Sequence, residues 1–442
     1  MKNKMKKQLL LRFSALMAVL CVCLTAFAAY GENNLAPIAA PRLFIAKGAS
    51  DAKGTFSCVN YGNKPIASFH YKAGMNGKVI EEKDVKLAEP IKVNESGKLH
   101  IAIPAINKMG DYQLVCEVTH VNGKYNESTV TASTLDITVL TKVPTCRVVF
   151  EDYTAIWCPN CPRATAIMEH LAKKHPDDFI GIAVHRNDPM AVDGYFGDKS
   201  EVTGYPTVWA SRRNKVTGFV GEDQYQEVKQ RGALMDVEVK AEWNANGSAV
   251  NVLSTTTFRT DVANGNYALG YVLQEDSMHN ANWVQKNTFS GSMAFLGESE
   301  ELDFFVNSPR YIYGLKFNHV VRAFIGVNKG LQGSLPKKAV ADQAIEHKTV
   351  FKGAGQQWTM QNKNNLHVVV LVIDNATHHI VNAARCHIEP HNTTAIAPIK
   401  AVGKRTEVAR FNLRGQRLSA PEVGINIVKY SDGSVEKVCV RP

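Results

Sequence analysis

The chain has 442 residues, of which 45% are hydrophobic, and a formal charge of +10; this is too long for one ordinary core and points to roughly two to four domains. Five of the positive charges precede residue 13, and residues 401–442 carry eight Lys/Arg against four acids, so the central body is close to neutral. No long basic stripe is interleaved with aromatics, which removes the electrostatic basis for nucleic acid as a partner.

In chain order, lysines at 2, 4, 6 and 7 and Arg12 precede an apolar stretch from Phe13 to Phe27 that closes with Ala26-Phe27-Ala28. This pattern predicts a secretory signal peptide over residues 1–28, cleaved after Ala28 and too short for a comfortable membrane span. A lipoprotein needs a small residue just before its modified cysteine, whereas Leu20 and Val22 precede Cys21 and Cys23. No later stretch has the length to cross a bilayer as a helix. The expectation is an exported protein: outer-membrane-associated, at the cell surface or extracellular. Beyond the signal, Cys58, Cys116, Cys146, Cys158, Cys161, Cys386 and Cys439 remain. An odd count in an oxidising compartment leaves at least one thiol unpaired or paired between chains.

Residues 29–40 read as a linker. From 41 to 140, short β-type runs such as Gly54–Val59, Ile66–Tyr71, Leu99–Ile103, Tyr112–Val118 and Thr134–Val139 are separated by turn residues, predicting an antiparallel sandwich. Cys58 and Cys116 fall in an early and a late strand. An inter-sheet disulfide is one reading of them and two buried thiols the other. The module as a whole reads as a spacer or adhesion unit.

From Arg147 the pattern changes. Val148-Val149-Phe150 is a compact buried strand, and Ala164, Ile167, Met168, Leu171 and Ala172 have helical spacing. His175-Pro176 stops that helix, and Phe179–Val184 is the next strand of a β-α-β unit. A short helical region through Tyr195 and Phe196 then leads to Gly204–Trp209, and Gln224–Met235 is expected as a closing helix. Residues 236–395 return to β periodicity and predict a second sandwich. Residues 401–442 read as a separate small β domain, with a hairpin across Ser431-Asp432-Gly433-Ser434.

The strongest chemical signal is Trp157-Cys158-Pro159-Asn160-Cys161-Pro162, a Cys-x-x-Cys turn delivered by a strand to the start of a helix. Unsatisfied N–H groups and the positive end of the helix dipole lower the pKa of the first sulfur, making Cys158 the attacking thiolate and Cys161 the resolving thiol. A disulfide without turnover is the plainer reading. A zinc half-site is disfavoured because no second close cysteine pair exists and the histidines are scattered; no metal or cofactor is expected. Asp152 stands six residues before Cys158, and Pro206 stands 45 after Cys161, where thioredoxin-like proteins carry a buried carboxylate and a cis-proline beside the sulfurs. That resemblance implies a proton relay between Asp152 and Cys161 and a backbone docking edge at Pro206. A strand-end cap and an ordinary turn proline are the bland alternatives. Trp157 reads equally as a recognition surface or as packing. His378, His379, His387 and His391 read as surface residues, His319 as a buried one, and Glu275-Asp276 as a turn.

Together with Tyr271–Asp276, Asn318–Arg322 and Val369–Thr377, these motifs make residues 41–390 resemble the family related to the 28-kilodalton outer membrane protein of Bacteroidetes. Residues 401–442, with Leu413-Arg414-Gly415, resemble a C-terminal sorting domain of type IX secretion. The implied fold is multidomain α+β: an immunoglobulin-like sandwich at 41–140, a thioredoxin-like domain at 141–235, a β-rich sandwich at 236–395 and a sorting-type unit at 401–442. The resemblance implies an envelope or surface protein. Its expected partners are a cysteine-containing exported protein or redox partner, a cell-surface ligand and the type IX machinery. Trp209-Ala210-Ser211-Arg212 departs from the regular strand expected after the proline.

Overall fold

The computed structural model describes residues 31–195, 202–356, 360–391, 407–412, 414–430 and 435–440. The expected signal segment 1–28, Phe196, Leu413 and the 431–434 hairpin loop lie outside the described residues. No helix among the described residues is long and apolar enough to cross a membrane. The chain divides into two compact units, residues 1–389 and 390–442.

The first unit begins with a β-sandwich. One sheet has three strands in the order β1 (Leu35–Ala39), β3 (Lys53–Asn60), β6 (Ser96–Ala102). The other runs β2 (Leu43–Ala46), β9 (Ala132–Leu140), β7 (Gly110–Val121), β4 (Ile66–Met75), β5 (Lys78–Ile91), with β8 (Lys124–Tyr125) on β7. Alternation places Phe56, Cys58, Leu99 and Ile101 of the first sheet against Tyr71, Leu114, Cys116 and Ile137 of the second, as sheets with one wet face require. The segment expected as a linker therefore contains a paired strand: Leu35 is fully buried and opposes Asn60. The expected inter-sheet disulfide is not formed. Cys58 and Cys116 are buried free thiols, each pushed up to about 12 by burial. Periodicity aims both inward but does not fix the distance between their sulfurs.

The second part of this unit is a single eleven-stranded sheet. Its strands are β10 (Val148–Thr154), β11 (Phe179–His185), β12 (Thr207–Ala210), β13 (Asn214–Lys215), β14 (Met235–Trp243), β15 (Ala249–Phe258), β16 (Tyr267–Glu275), β19 (Val320–Ile325), β20 (Ala344–Lys352), β21 (Leu366–Asp374) and β22 (Ile380–Glu389). The order across the sheet is β13-β12-β10-β11-β19-β16-β21-β22-β14-β15-β20. Two short strands, β17 (Val284–Lys286) and β18 (Tyr311–Tyr313), pair separately. The separate sandwich expected over 236–395 is thus corrected: β16, β19, β21 and β22 extend the sheet that β10 and β11 begin. Uninterrupted apolar runs such as Val368–Ile373, buried on both faces, signal a central strand; which strand lies next to it is a tertiary matter that periodicity does not carry.

β10, helix α1 (Pro162–Lys174) and β11 form the expected β-α-β unit, parallel from Val148 opposite Phe179 to Thr154 opposite His185. Pro162 at the first helical position lacks only a donor that would be unpaired there, and His175 closes the helix by donating its N–H to the Leu171 carbonyl. Helix α2 is shorter than the expected 224–235 segment, spanning Glu222–Gln230. Gly232 has φ +62, which ends the helix pattern, and Met235 already begins β14. Tyr195 lies in a bend, and no described residue beside it is helical. Helix α3 (Glu300–Asn307) is capped by the Ser299 hydroxyl accepting from the Leu302 N–H, with three acids in its first turn.

The second unit, taken by itself, is an antiparallel four-stranded sheet in the order β24 (Arg417–Leu418), β23 (Glu407–Phe411), β25 (Gly424–Tyr430), β26 (Val435–Val440). The Arg410 guanidinium donates to Glu407 at 2.7 Å and to Asn426 at 3.0 Å. Val428 is its fully buried apolar residue.

Candidate functional site

Side chains alternate along β10. Val148, Phe150 and Asp152 face α1, while Val149, Glu151 and Tyr153 face the opposite side of the sheet. The strand delivers the chain through Ala155 and Ile156 to the turn preceding α1, where Cys158 and Cys161 are joined by a disulfide. Cys161 is the helix N-cap, and its carbonyl accepts from Ala164 and Thr165. No acid occupies the first turn, and Lys173 and Lys174 occupy the last, so the dipole remains uncompensated at the cysteine end.

Asp152 sits inside β10, paired with Ala183 and Val208, so it is not a strand-end cap. It is 2% exposed. Burial raises its carboxyl to about 8, against the lowering influence of the Arg163 charge and a Thr154 hydrogen bond. Its Oδ1 has no hydrogen-bond partner. The Tyr205–Pro206 peptide is cis, and Tyr205 packs on the small cluster of Ala155, Cys158 and Cys161. The structure therefore brings the two cysteines together with the Tyr205-Pro206 loop and places Asp152 on the β10 face beneath α1.

The turn is gripped from two directions. On one side, Asp188 accepts from the Ile156 N–H at 3.0 Å and from His185 Nδ1 at 2.7 Å. Burial opposes ionisation of Asp188, but these bonds, the His185 charge and the Met190 N–H outweigh it and hold the carboxyl below its usual range. Trp157 donates its indole N–H to the Arg186 carbonyl at 2.9 Å and lies edge-on to Tyr205, ring centroids 5.5 Å apart. Trp157 stays 39% exposed, so it packs against the turn and still presents part of its ring to solvent.

On the other side lies a strap that sequence reasoning did not find. The buried Gln285 amide donates to the Cys158 carbonyl at 3.0 Å. Lys286 donates its N–H to Ile156 at 2.9 Å and Thr288 to Pro159 at 2.8 Å. Asn287 ties the strap to the end of α3 through the Phe305 carbonyl at 2.7 Å. Phe289, Leu302, Phe305 and Ile312 pack with Ala166 of α1, and His170 meets Glu301 at 3.0 Å. Cys158 is only 2% exposed and Cys161 fully buried, in a cluster closed by Ala155 and Tyr205. No periodicity in 284–288 announces these bonds, because backbone groups make two of the three.

The Trp209–Arg212 departure has its own cause. Ser211 and Arg212 adopt φ +48 and +56, turning the chain so that the Arg212 guanidinium forks onto the fully buried Glu151 at 2.8 and 2.7 Å. The Tyr195 hydroxyl also donates to Glu151, at 3.0 Å. Glu275-Asp276 is likewise more than a turn. Glu275 accepts the N–H groups of Gln361 and Asn362, and Asp276 pairs with Arg385 and accepts the His319 N–H at 2.8 Å. Among the histidines read as surface, His387 meets His367 with the rings tilted at 45° and their Nε2 atoms 3.1 Å apart.

A cavity of about 460 Å³ opens beside Tyr205, lined also by Tyr153, Arg186, Tyr195 and Val202. A cavity of about 20 Å³ lies on the α1 face, lined by Asp152, Thr165, Glu169, His185 and His319 among others.

No protein-family model and no curated protein sequence matches the chain. Among solved structures, HBP35 of Porphyromonas gingivalis is similar at 18% identity and a TM-score of 0.40, covering 68% of this chain and 99% of that one. Protein AGR_C_4864 from Agrobacterium tumefaciens matches at 13% identity and a TM-score of 0.34, covering 57% of this chain and 98% of that one. The CARDB domain of the PF1109 protein from Pyrococcus furiosus matches at 18% and 0.21, covering 25% of this chain and 96% of that one. Likenesses this distant assign neither fold nor chemistry.

Proposed function

We propose that the chain is an exported thiol–disulfide oxidoreductase with a thioredoxin-like site, acting on cysteines of envelope or secreted proteins. The observation that carries this reading is Asp152: a carboxyl with no partner on one oxygen, buried beneath the helix whose N-cap is half of a Cys-x-x-Cys pair. A disulfide kept only for stability gains nothing from such a group, whose burial is costly. A resolving thiol that must lose a proton in a dry site does gain from it.

In the reduced protein, Cys158 attacks a substrate disulfide and releases one substrate thiolate. Cys161 passes its proton to Asp152 and attacks Cys158 Sγ, expelling the second thiolate and re-forming the 158–161 bond. The dithiol loses two electrons and the substrate disulfide gains them. Tyr205 and Pro206 border the side where an extended substrate enters, with the aromatic cavity beside them. Insulin reduction and refolding of a scrambled disulfide substrate test the reading: wild type turns over and Cys158→Ser does not. Equal rates in the two overturn it.

One observation favours a second reading, a cell-surface or outer-membrane binding module without turnover. The strap is bonded to the backbone of the turn, and Cys158 is 2% exposed. The same assay separates the two, since a binding module shows no dependence on Cys158. Export rests on the signal pattern at 1–28, and the type IX sorting role of 401–442 rests on its resemblance.

A further inference from the structure

The roughly 20 Å³ cavity on the α1 face is large enough for one water molecule. Two of its polar walls are unsatisfied. Asp152 Oδ1 has no hydrogen-bond partner, nor does either ring nitrogen of His319, which is 6% exposed and whose Nδ1 stands 3.8 Å from Asp276 Oδ1. A buried polar atom left unpaired is costly, and both residues line this one water-sized space.

The His319 ring is nonetheless firmly placed. Its residue adopts φ +61, an uncommon conformation for a non-glycine residue. Its N–H goes to Asp276 and its carbonyl accepts from Ala183 at 2.8 Å. The ring lies over Gly181, where a Cβ would come within 2.8 Å of it.

We propose that this cavity holds a single water joining the Asp152 carboxyl to the His319 imidazole, and that His319 is the positioning residue for proton transfer between Cys161 and Asp152. The role rests on the redox reading above; the water site does not. A neutral imidazole carries one N–H donor, and aimed at the water it favours the ionised state of Asp152. With Asp152 ionised, the imidazole N–H donates to the water and the water donates to the carboxylate. With Asp152 protonated by Cys161, the acid donates to the water, which still accepts the imidazole N–H. Burial keeps the imidazole in its neutral form, with its pKa lowered to about 4.

The other charged groups around the site have partners of their own. Glu169 accepts from Asn318 at 2.8 Å, His185 is bonded to Asp188, and Asp276 is paired with Arg385 beside His367. Arg163 acts on Asp152 through its charge while donating to the Gly218 carbonyl at 2.6 Å.

The test uses the full chain. His319→Asn keeps a residue that tolerates positive φ but shortens the side chain away from the water, and Gly181→Ala displaces the ring without altering it. In both variants the infrared titration of the Asp152 carboxyl, assigned by its loss in Asp152→Asn, shifts upward by about half a pH unit or more, because a hydrogen bond to the ionised form is lost. His319→Gln, with a donor and an acceptor, recovers part of the shift. The acidic limb of the insulin-reduction profile moves by the same amount in each variant. An unmoved titration in folded His319→Asn or Gly181→Ala overturns the proposal, as does a dry cavity in a crystal structure that resolves waters. A wild type that turns over no disulfide while the titration shifts as expected overturns the redox reading and leaves the water site standing.

Discussion

Gln285 donates its side-chain amide to the carbonyl of Cys158, 127 residues earlier, at 3.0 Å. The nucleophile's backbone is therefore fixed by a segment far along the chain. Gln285→Leu removes the bond while keeping the packing volume, and Thr288→Pro removes the N–H that reaches Pro159. Each bond is worth about 0.5–1.5 kcal/mol, so a small phosphine reduces the 158–161 disulfide about three- to tenfold faster in either variant. Reduction rates equal to wild type would show that the strap does not control access.

Asp152 makes stability depend on pH in a defined direction. The folded carboxyl titrates at about 8 and an unfolded one near about 4. Between these values the folded state holds a proton that the unfolded state has lost, so stability falls as pH rises, by at most about 1.4 kcal/mol per pH unit. Urea denaturation of the oxidised protein should give wild type and Asp152→Asn nearly equal stability at the acid end of this window. At the alkaline end the variant is more stable by a few kcal/mol. Parallel curves across the window refute the assignment.

Arg212 and Glu151 form a buried ion pair. Removing one member leaves an uncompensated charge and costs about 3–5 kcal/mol, whereas replacing both with apolar or neutral groups of similar size costs much less. Arg212→Met alone is therefore more damaging than the Glu151→Gln/Arg212→Met double variant in chemical denaturation. A double variant as unstable as the single one contradicts this.

Once reduced, Cys158 should ionise below an ordinary thiol and be alkylated faster than Cys161, because it precedes the uncompensated helix start and is the less buried of the two. Thiolate absorbance in each single-cysteine variant measures this. A Cys158 that titrates at or above the free-thiol value removes the attacking role.

Deletion of residues 401–442 is expected to trap the protein in the periplasm while leaving its redox chemistry intact, if that unit is a sorting signal. Fractionation and intact-mass analysis report the outcome; surface delivery unchanged by the deletion refutes the sorting role.

What the sequence disclosed follows how local each feature is. Cys158, Cys161 and Asp152 lie within ten residues, and a strand leading into a helix fixes their arrangement by itself. The helix stop at His175-Pro176 is local chemistry of the same kind. Pro206 needed a family resemblance, because spacing alone does not set a peptide isomer. Glu151 stood within the motif without a role, since its partner Arg212 depends on two positive-φ residues after β12. His319 was legible as a buried residue and Asp276 as a turn, whereas nothing in the sequence pointed to Gln285. Their roles come from β16 and β19 joining the sheet that carries β10, and strand neighbours are not encoded in period-two alternation.

The sheet that carries β10 has no seam between residues 141–235 and the strands that follow. The inner side of β11 faces β19, and Val149, Ile180 and Ile182 share a core with Val272, Val369 and Leu371. Cutting the chain at the boundaries its sequence suggests bares the β11 edge, which meets β19 at Ala183 and Val320, beside an apolar face. Such a fragment is a template for pairing with its own copies, so the cysteine pair cannot be transplanted on that segment alone, and homologous shuffling of this chain is confined to the sandwich before Cys146 and the unit after Glu389.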